Sequence, residues 1–151
     1  MPGDDLSDAG PLPQTILHAS CVAAHGKAVL ILGASGAGKS ALALDLMSRG
    51  AELVSDDRTQ LTLRADHLEA DAVNTIAGFI EARGVGILKA TPKGPMPLAL
   101  AIDLDKEETT RLPNHYTFTR FGVTVPLLYR VPYPHFAPAI LQFLKAGRGH
   151  L

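Results

Sequence analysis

Apolar positions along the chain fall in short runs broken by glycine, proline and acidic residues. Runs this short suit strands better than helices. Ile16 to Ala24 predicts a first strand, closed by a His25-Gly26 turn. Ala28 to Leu32 is apolar without alternation, the pattern of a central strand buried on both faces. Gly33 to Gly38 follows as a glycine-rich turn. Ser40 to Ser48 has a helical period through Ala41, Leu42, Leu44 and Met47, and Gly50 suits the position just past the helix end. Leu53 to Ser55 predicts a strand that ends at Asp56-Asp57. Thr59 to Arg64 alternates like a half-exposed strand, and Asp66-His67 turns it into a hairpin. Thr75 to Arg83 fits neither period; Gly84-Val85-Gly86 and the apolar pair Ile87-Leu88 follow it. Thr91 to Pro97, with its prolines and glycine, predicts a loop. Leu98 to Leu104 predicts a strand, Asp105 to Tyr116 a polar loop, Val123 to Leu128 a last strand and Pro138 to Ala146 a last helix. The order strand, glycine turn, helix, strand over residues 28–55 indicates an α/β fold with flanking helices, and the hairpin at Thr59 makes the sheet mixed.

Composition narrows the function classes. The chain has 151 residues, 46% of them hydrophobic and 19% charged, so one compact domain can form. Residues 1–13, acidic and rich in proline and glycine, read as a disordered tail, which leaves 14–148 as the single domain. Lys and Arg total 14 against 15 Asp and Glu, a net charge of -1, so bulk attraction to nucleic acid or to an anionic membrane is excluded. No apolar run approaches the roughly 20 residues that span a bilayer. The first residues lack the basic start and apolar stretch of a secretory signal. The single cysteine, Cys21, cannot form an internal disulfide and reads as a core residue. These features predict a cytoplasmic protein.

The strongest chemical signal is Gly33-Ala34-Ser35-Gly36-Ala37-Gly38-Lys39-Ser40, a full match to the P-loop pattern between a buried strand and a helix. Its glycines let backbone N–H groups converge on phosphate oxygens, and the helix start adds its positive dipole end. Lys39 can set an ammonium on the terminal phosphates, and Ser40 can offer a hydroxyl to Mg²⁺. Asp56-Asp57 ends the next strand, where a parallel sheet gathers its ligand crevice. Two such carboxylates can divide the work, one toward a phosphoryl acceptor and one toward metal or an arginine. Glu81-Ala82-Arg83-Gly84-Val85-Gly86 can bring a metal ligand and a phosphate ligand to the same place. Arg111, in a polar loop, is a candidate cation for the transition state. His18 lies on the strand before the P-loop strand.

Residues 33–57, GASGAGKSALALDLMSRGAELVSDD, resemble the P-loop segment of the bacterial HPr kinase/phosphorylase family, with Lys39, Arg49-Gly50 and Asp56-Asp57 at its spacing. Glu81 to Ile87 resembles that family's E-x-R-G-x-G-I signature, His18 its histidine before the P-loop strand, and Arg111-Leu112 its catalytic-loop arginine. The resemblance covers about residues 15–130 and is strongest over 28–88. It implies a domain similar to phosphoenolpyruvate carboxykinases. It also implies an ATP- and Mg²⁺-dependent kinase that phosphorylates a serine of the phosphocarrier protein HPr, together with phosphorolysis of the product to pyrophosphate. Under it, Asp56 is the proton acceptor, supported by Asp57 and His18; Ser40 and Glu81 approach the metal; Arg83 joins the P-loop at the nucleotide; and Arg111 stabilises the transferring group. The family forms homohexamers. The chain resembles its compact form, found in alphaproteobacteria, which lacks the extra N-terminal domain of long members. It departs from long members at Ala41, usually acidic there, and at Val131-Pro132-Tyr133-Pro134, where they carry R-P-G-R. Two other readings share Lys39 and Ser40: a small-metabolite P-loop kinase, for which no arginine-rich lid is visible, and a nucleotide-binding regulatory module without transferase activity.

Overall fold

The structure, a computed structural model, describes residues 11–149, so residues 1–10 of the expected tail lie outside the described residues. In chain order the elements are β1 (Gln14–Leu17), β2 (Ala19–Ala24), β3 (Lys27–Leu32), α1 (Lys39–Ser48), β4 (Glu52–Ser55), β5 (Thr59–Arg64) and β6 (His67–Ala72). A 3₁₀ turn (Asn74–Ile76) leads to β7 (Phe79–Ala82), β8 (Gly86–Lys89), β9 (Met96–Glu107), β10 (Tyr116–Arg120), β11 (Val123–Arg130) and α2 (Phe136–Ala146). Nine strands form one sheet in the order β1-β5-β6-β9-β3-β2-β4, with β11 also on β9 and β10 on β11. β3, β9 and β11 run parallel, and the other pairs in this sheet are antiparallel, so the sheet is mixed as the sequence indicated. β7 and β8 form a separate antiparallel hairpin.

β3 explains its own unalternating sequence. Val29 and Ile31 face one side and pack with Val22, Leu53, Leu100 and Ile102 against Ala43 and Leu46 of α1 and Ile140 and Leu144 of α2. Ala28 and Leu30 face the other side, with Cys21, Leu61, Leu68 and Ala101. Both faces are dry from Ala28 to Ile31, so every position there must be apolar, whereas Lys27 at the strand's start is exposed. No helix among the described residues is long and apolar enough to cross a membrane.

Several boundaries differ from the pattern-based expectation. The strand expected over Ile16 to Ala24 breaks at His18, because β1 pairs with β5 while β2 pairs with β3 and β4. β9 runs past Leu104 to Glu107, held by its pairing with β11 and by an Arg130–Glu107 ion pair at 3.1 Å. β10 begins at Tyr116, the last residue of the expected polar loop, and continues through residues 117–120, for which the pattern predicted no element. Its two-residue turn, Phe121-Gly122, has φ of 48° and 77°, the doubly positive geometry that tight hairpins favour. The β5–β6 turn falls at Ala65-Asp66 rather than Asp66-His67, and His67 already pairs with Arg64. α2 starts at Phe136, and Pro138 sits in its first turn, where no N–H is needed for the helix ladder.

Cys21 is fully buried in β2, and burial, with a smaller contribution from the Asp71 charge, pushes its thiol far above the ordinary cysteine range. The thiolate is the reactive form. The folded protein should therefore resist iodoacetamide between about pH 7 and 9, and react at one site per chain only after denaturation. Mass spectrometry of the alkylated protein checks this, and rapid labelling of the native state would contradict it.

Candidate active site

The site begins where β3 runs out of partners. Leu32 pairs with Asp103 of β9, and the chain then leaves the sheet. A Cβ on Gly33 would lie 3.0 Å from Ala37 Cβ and 3.3 Å from Leu104 Cβ, so the close approach of loop and strand needs glycine there. Two residues past the Leu32 partner, Asp105 accepts the Ala34 N–H at 3.0 and 3.2 Å through its two carboxylate oxygens. Gly38 caps α1 with φ 102°, a left-handed conformation that glycine adopts without strain. Lys39 is 6% exposed, and its Nζ donates to Gly33 O at 2.8 Å and to Ala34 O at 3.2 Å. Ala34 is thus fixed at both ends, its N–H by a carboxylate and its carbonyl by an ammonium. Lys39 and Ser40 open α1, so their N–H groups have no intrahelical acceptor and add to the positive end of the helix.

The two aspartates at the end of β4 have opposite surroundings. Asp56 is 8% exposed. Its Oδ1 accepts the hydroxyls of Ser40 at 2.7 Å and Ser20 at 2.8 Å, and its Oδ2 accepts the Glu81 N–H at 3.0 Å. Asp57 has φ 67°, which turns its side chain away from that of Asp56. Its N–H donates to Ser20 Oγ at 3.1 Å, and its carboxylate, 61% exposed, lies 2.7 Å from His18 Nε2. Aspartate tolerates the left-handed region better than most residues.

A cleft of about 500 Å³ opens between these groups. Its walls are Ser35 to Ala41 of the loop and first helical turn, without Ala37, then Leu44, Asp57 and the segment Glu81 to Arg83. Asp56 lies behind the wall, under Ser40. The structure thus brings the glycine loop, Asp57, Glu81 and Arg83 to one cleft, with His18 against Asp57. Arg111 is not brought to it. That residue sits in the exposed β9–β10 segment and does not line the cleft. Two contributors escaped the sequence reading. Ser20 is a lone hydroxyl within the apolar run of β2, a signal that was present but ambiguous. Asp105 stood in a stretch expected to be loop, and only the parallel register sets it beside Ala34.

The donor set fits a hard divalent cation. Ser40 gives its proton to Asp56, which leaves its lone pairs free, and Glu81 stands in the cleft wall. No group of three or more His, Cys, Asp or Glu side chains among the described residues is arranged to hold a metal. A cation here would take its remaining ligands from phosphate and water, the usual habit of Mg²⁺.

Fold and site together define a mixed α/β domain built around a strand, a glycine loop and a helix. The chain belongs to the family described as HPr Serine kinase C-terminal domain, whose sequence profile matches residues 12–93. The resemblance drawn from its motifs is borne out. The HPr kinase/phosphorylase of Caldanaerobacter subterraneus subsp. tengcongensis is 46% identical over 77 residues, which cover 50% of this chain and 25% of that protein. The HPr kinase/phosphorylase of Stenotrophomonas maltophilia is 35% identical over 112 residues, covering 69% of this chain and 35% of the relative. The chain thus spans about a quarter to a third of the curated relatives it matches. The solved structure of the Hpr(Ser) kinase/phosphatase from Coxiella burnetii superposes with a TM-score of 0.72 at 23% identity, covering 87% of this chain and 94% of that one. That likeness establishes the fold.

The geometry separates the two candidate arginines. Arg83→Ala should weaken Mg-ADP binding about tenfold, the order expected for one charge-assisted contact to phosphate, whereas Arg111→Ala should leave it within about twofold. Titration calorimetry measures both, and equal losses would contradict the placement.

Proposed function

We propose that this domain is an ATP- and Mg²⁺-dependent protein kinase that phosphorylates a serine of the phosphocarrier protein HPr. One observation carries the reading: neighbouring carboxylates serve different surfaces, Asp56 bonded to the Ser40 hydroxyl behind the cleft and Asp57 exposed within it. Family membership supplies the reaction class. Homo-hexameric assembly belongs to the same proposal through the family resemblance, and a cytoplasmic location through the composition of the chain.

The phosphates of ATP would lie along the N–H groups of the Gly33–Ser40 loop at the start of α1. Lys39 would exchange its two loop carbonyls for phosphate oxygens. Ser40 and Glu81 would hold Mg²⁺, which when bound offsets charge on the phosphates. Asp56 keeps the Ser40 hydroxyl turned so that an oxygen lone pair faces the cleft. Its own oxygens already accept three donors, which leaves it poorly placed to take a proton from a substrate. Asp57 is therefore the better base. It faces the cleft, and His18 fixes its orientation. The acceptor serine gives its proton to Asp57 as its oxygen bonds to the γ-phosphorus, and the bond from that phosphorus to the β–γ bridging oxygen breaks to release ADP. In phosphorolysis, an oxygen of inorganic phosphate bonds to the phosphorus of the serine phosphate as the bond from that phosphorus to the serine oxygen breaks; Asp57, protonated in this direction, gives its proton to the serine oxygen, and pyrophosphate leaves. The two names carried by the relatives support both directions. The base proposed here is Asp57, in place of the Asp56 role implied by the resemblance.

An intact-mass assay tests this with Mg-ATP and the HPr-like phosphocarrier of the same source. The expected result is one added phosphoryl group on a serine. Asp57→Asn should slow transfer by about 10²- to 10⁴-fold with Mg-ADP binding retained, the range for loss of a general base. Asp56→Asn should weaken Mg-ADP binding itself. Mg-ADP binding without any mass shift in the wild-type protein would favour the non-catalytic module.

A further inference from the structure

Ser20 is fully buried in β2, between Ala19 and Cys21, which are also fully buried. A hydroxyl at such a position needs partners, and Ser20 has two that matter. Its Oγ donates to Asp56 Oδ1 at 2.8 Å and accepts the Asp57 N–H at 3.1 Å. One atom therefore touches both members of the carboxylate pair. The neighbouring hydroxyls brace the same turn. Thr59 Oγ1 donates to Ala19 O at 2.8 Å, the Ala19 N–H donates to Asp57 O at 2.9 Å, and Ser55 Oγ donates to Arg58 O. These braces act on the turn as a whole, whereas Ser20 alone bonds the Asp56 carboxylate and the Asp57 amide together.

The backbone at Asp57 requires such a restraint. Its φ of 67° is sparsely populated for a residue with a side chain, and surrounding contacts must over-determine it. β2 and the residue preceding it grip Asp57 at three points, at the amide through Ser20, at the carbonyl through the Ala19 N–H and at the carboxylate through His18. We propose that Ser20 is a positioning residue that holds Asp56 against Ser40 while turning Asp57 into the cleft. The proposal rests on the kinase reading and assigns within it what keeps the two carboxylates apart. An apolar residue would fill the same space but would leave the Asp57 N–H without its acceptor and take one donor from Asp56. Threonine keeps the hydroxyl and suits a strand.

The test compares Ser20→Ala and Ser20→Thr with the wild type in three measurements: phosphoryl transfer to the HPr-like phosphocarrier, Mg-ADP binding, and hydrogen exchange at the Asp57 amide. Ser20→Ala should lower kcat about tenfold while KM for ATP stays within about threefold, the split expected when an interaction matters mainly in the transition state. Exchange at the Asp57 amide should speed up in this variant. Ser20→Thr should recover most of both effects. A Ser20→Ala protein with a lower Tm but wild-type kcat and unchanged Asp57 exchange would overturn the proposal, because the hydroxyl would then serve stability alone. Failure of folded Ser20→Thr to recover kcat would also overturn it. If the wild type bound Mg-ADP but transferred nothing, with its Asp57 amide protected and the Ser20→Ala amide exposed, the kinase reading would fall and the catalytic half of this proposal with it.

Discussion

The buried carboxylate of Asp56 is the constraint on which the site depends. A charge with so little exposure is costly to desolvate unless donors surround it. Here three donors arrive from three elements: the Ser20 hydroxyl from β2, the Ser40 hydroxyl from α1 and the Glu81 N–H from β7. Asp56 itself follows β4. Four elements are therefore tied at one side chain, and the cleft opens beside that junction, between the glycine loop with α1, Asp57 and the segment Glu81 to Arg83. Each hydrogen bond to a charged group is worth about 1.5–3 kcal/mol. Loss of one donor both weakens the junction and leaves the carboxylate less compensated, so the geometry of the cleft and the stability of the fold are coupled there.

A second constraint comes from the parallel pairing of β3 and β9. Their register aligns Leu32 with Asp103, so the glycine loop leaves the sheet beside Leu104 and Asp105. Asp105 then accepts the Ala34 N–H of the loop. A carboxylate next to an anion-binding loop opposes phosphate electrostatically. Its bond to Ala34, with Lys39 on the carbonyl of the same residue, instead fixes the entrance of the loop while the helix N-terminus stays available. Order at the entrance and openness at the helix head follow from one pairing of strands.

Much of this was legible in the chain. Ala28 to Leu32 could only be a doubly buried strand, because no polar position interrupts it. The glycine loop, Lys39 and Ser40 declare their chemistry through local backbone demands, and the helix that follows has a clear period. The fold class followed from the order of these elements, and the family from the P-loop, the Asp pair and the Glu81 to Ile87 motif at fixed spacing. β10 and the end of β9 were not legible, because polar and charged strand residues such as Glu107 are stabilised by partners distant in sequence, Arg130 among them. The break at His18 was hidden for the same reason, since each half of that run finds a different neighbour.

The site divides along the same line. The sequence by itself determined the glycine loop and the helix start that carries Lys39 and Ser40, because a loop and a helix start are made by contiguous residues and obey local steric rules. It could not show that Asp56 is buried under Ser40 while Asp57 is exposed in the cleft. Adjacent residues differ in surroundings here because Asp57 takes a left-handed φ, and because Ser20 of β2, Glu81 of β7 and His18, between β1 and β2, come from elsewhere in the chain to hold each in place. The tertiary structure also left Arg111 off the lining of the cleft and set Asp105 beside Ala34, the second an outcome of strand register that no short segment encodes.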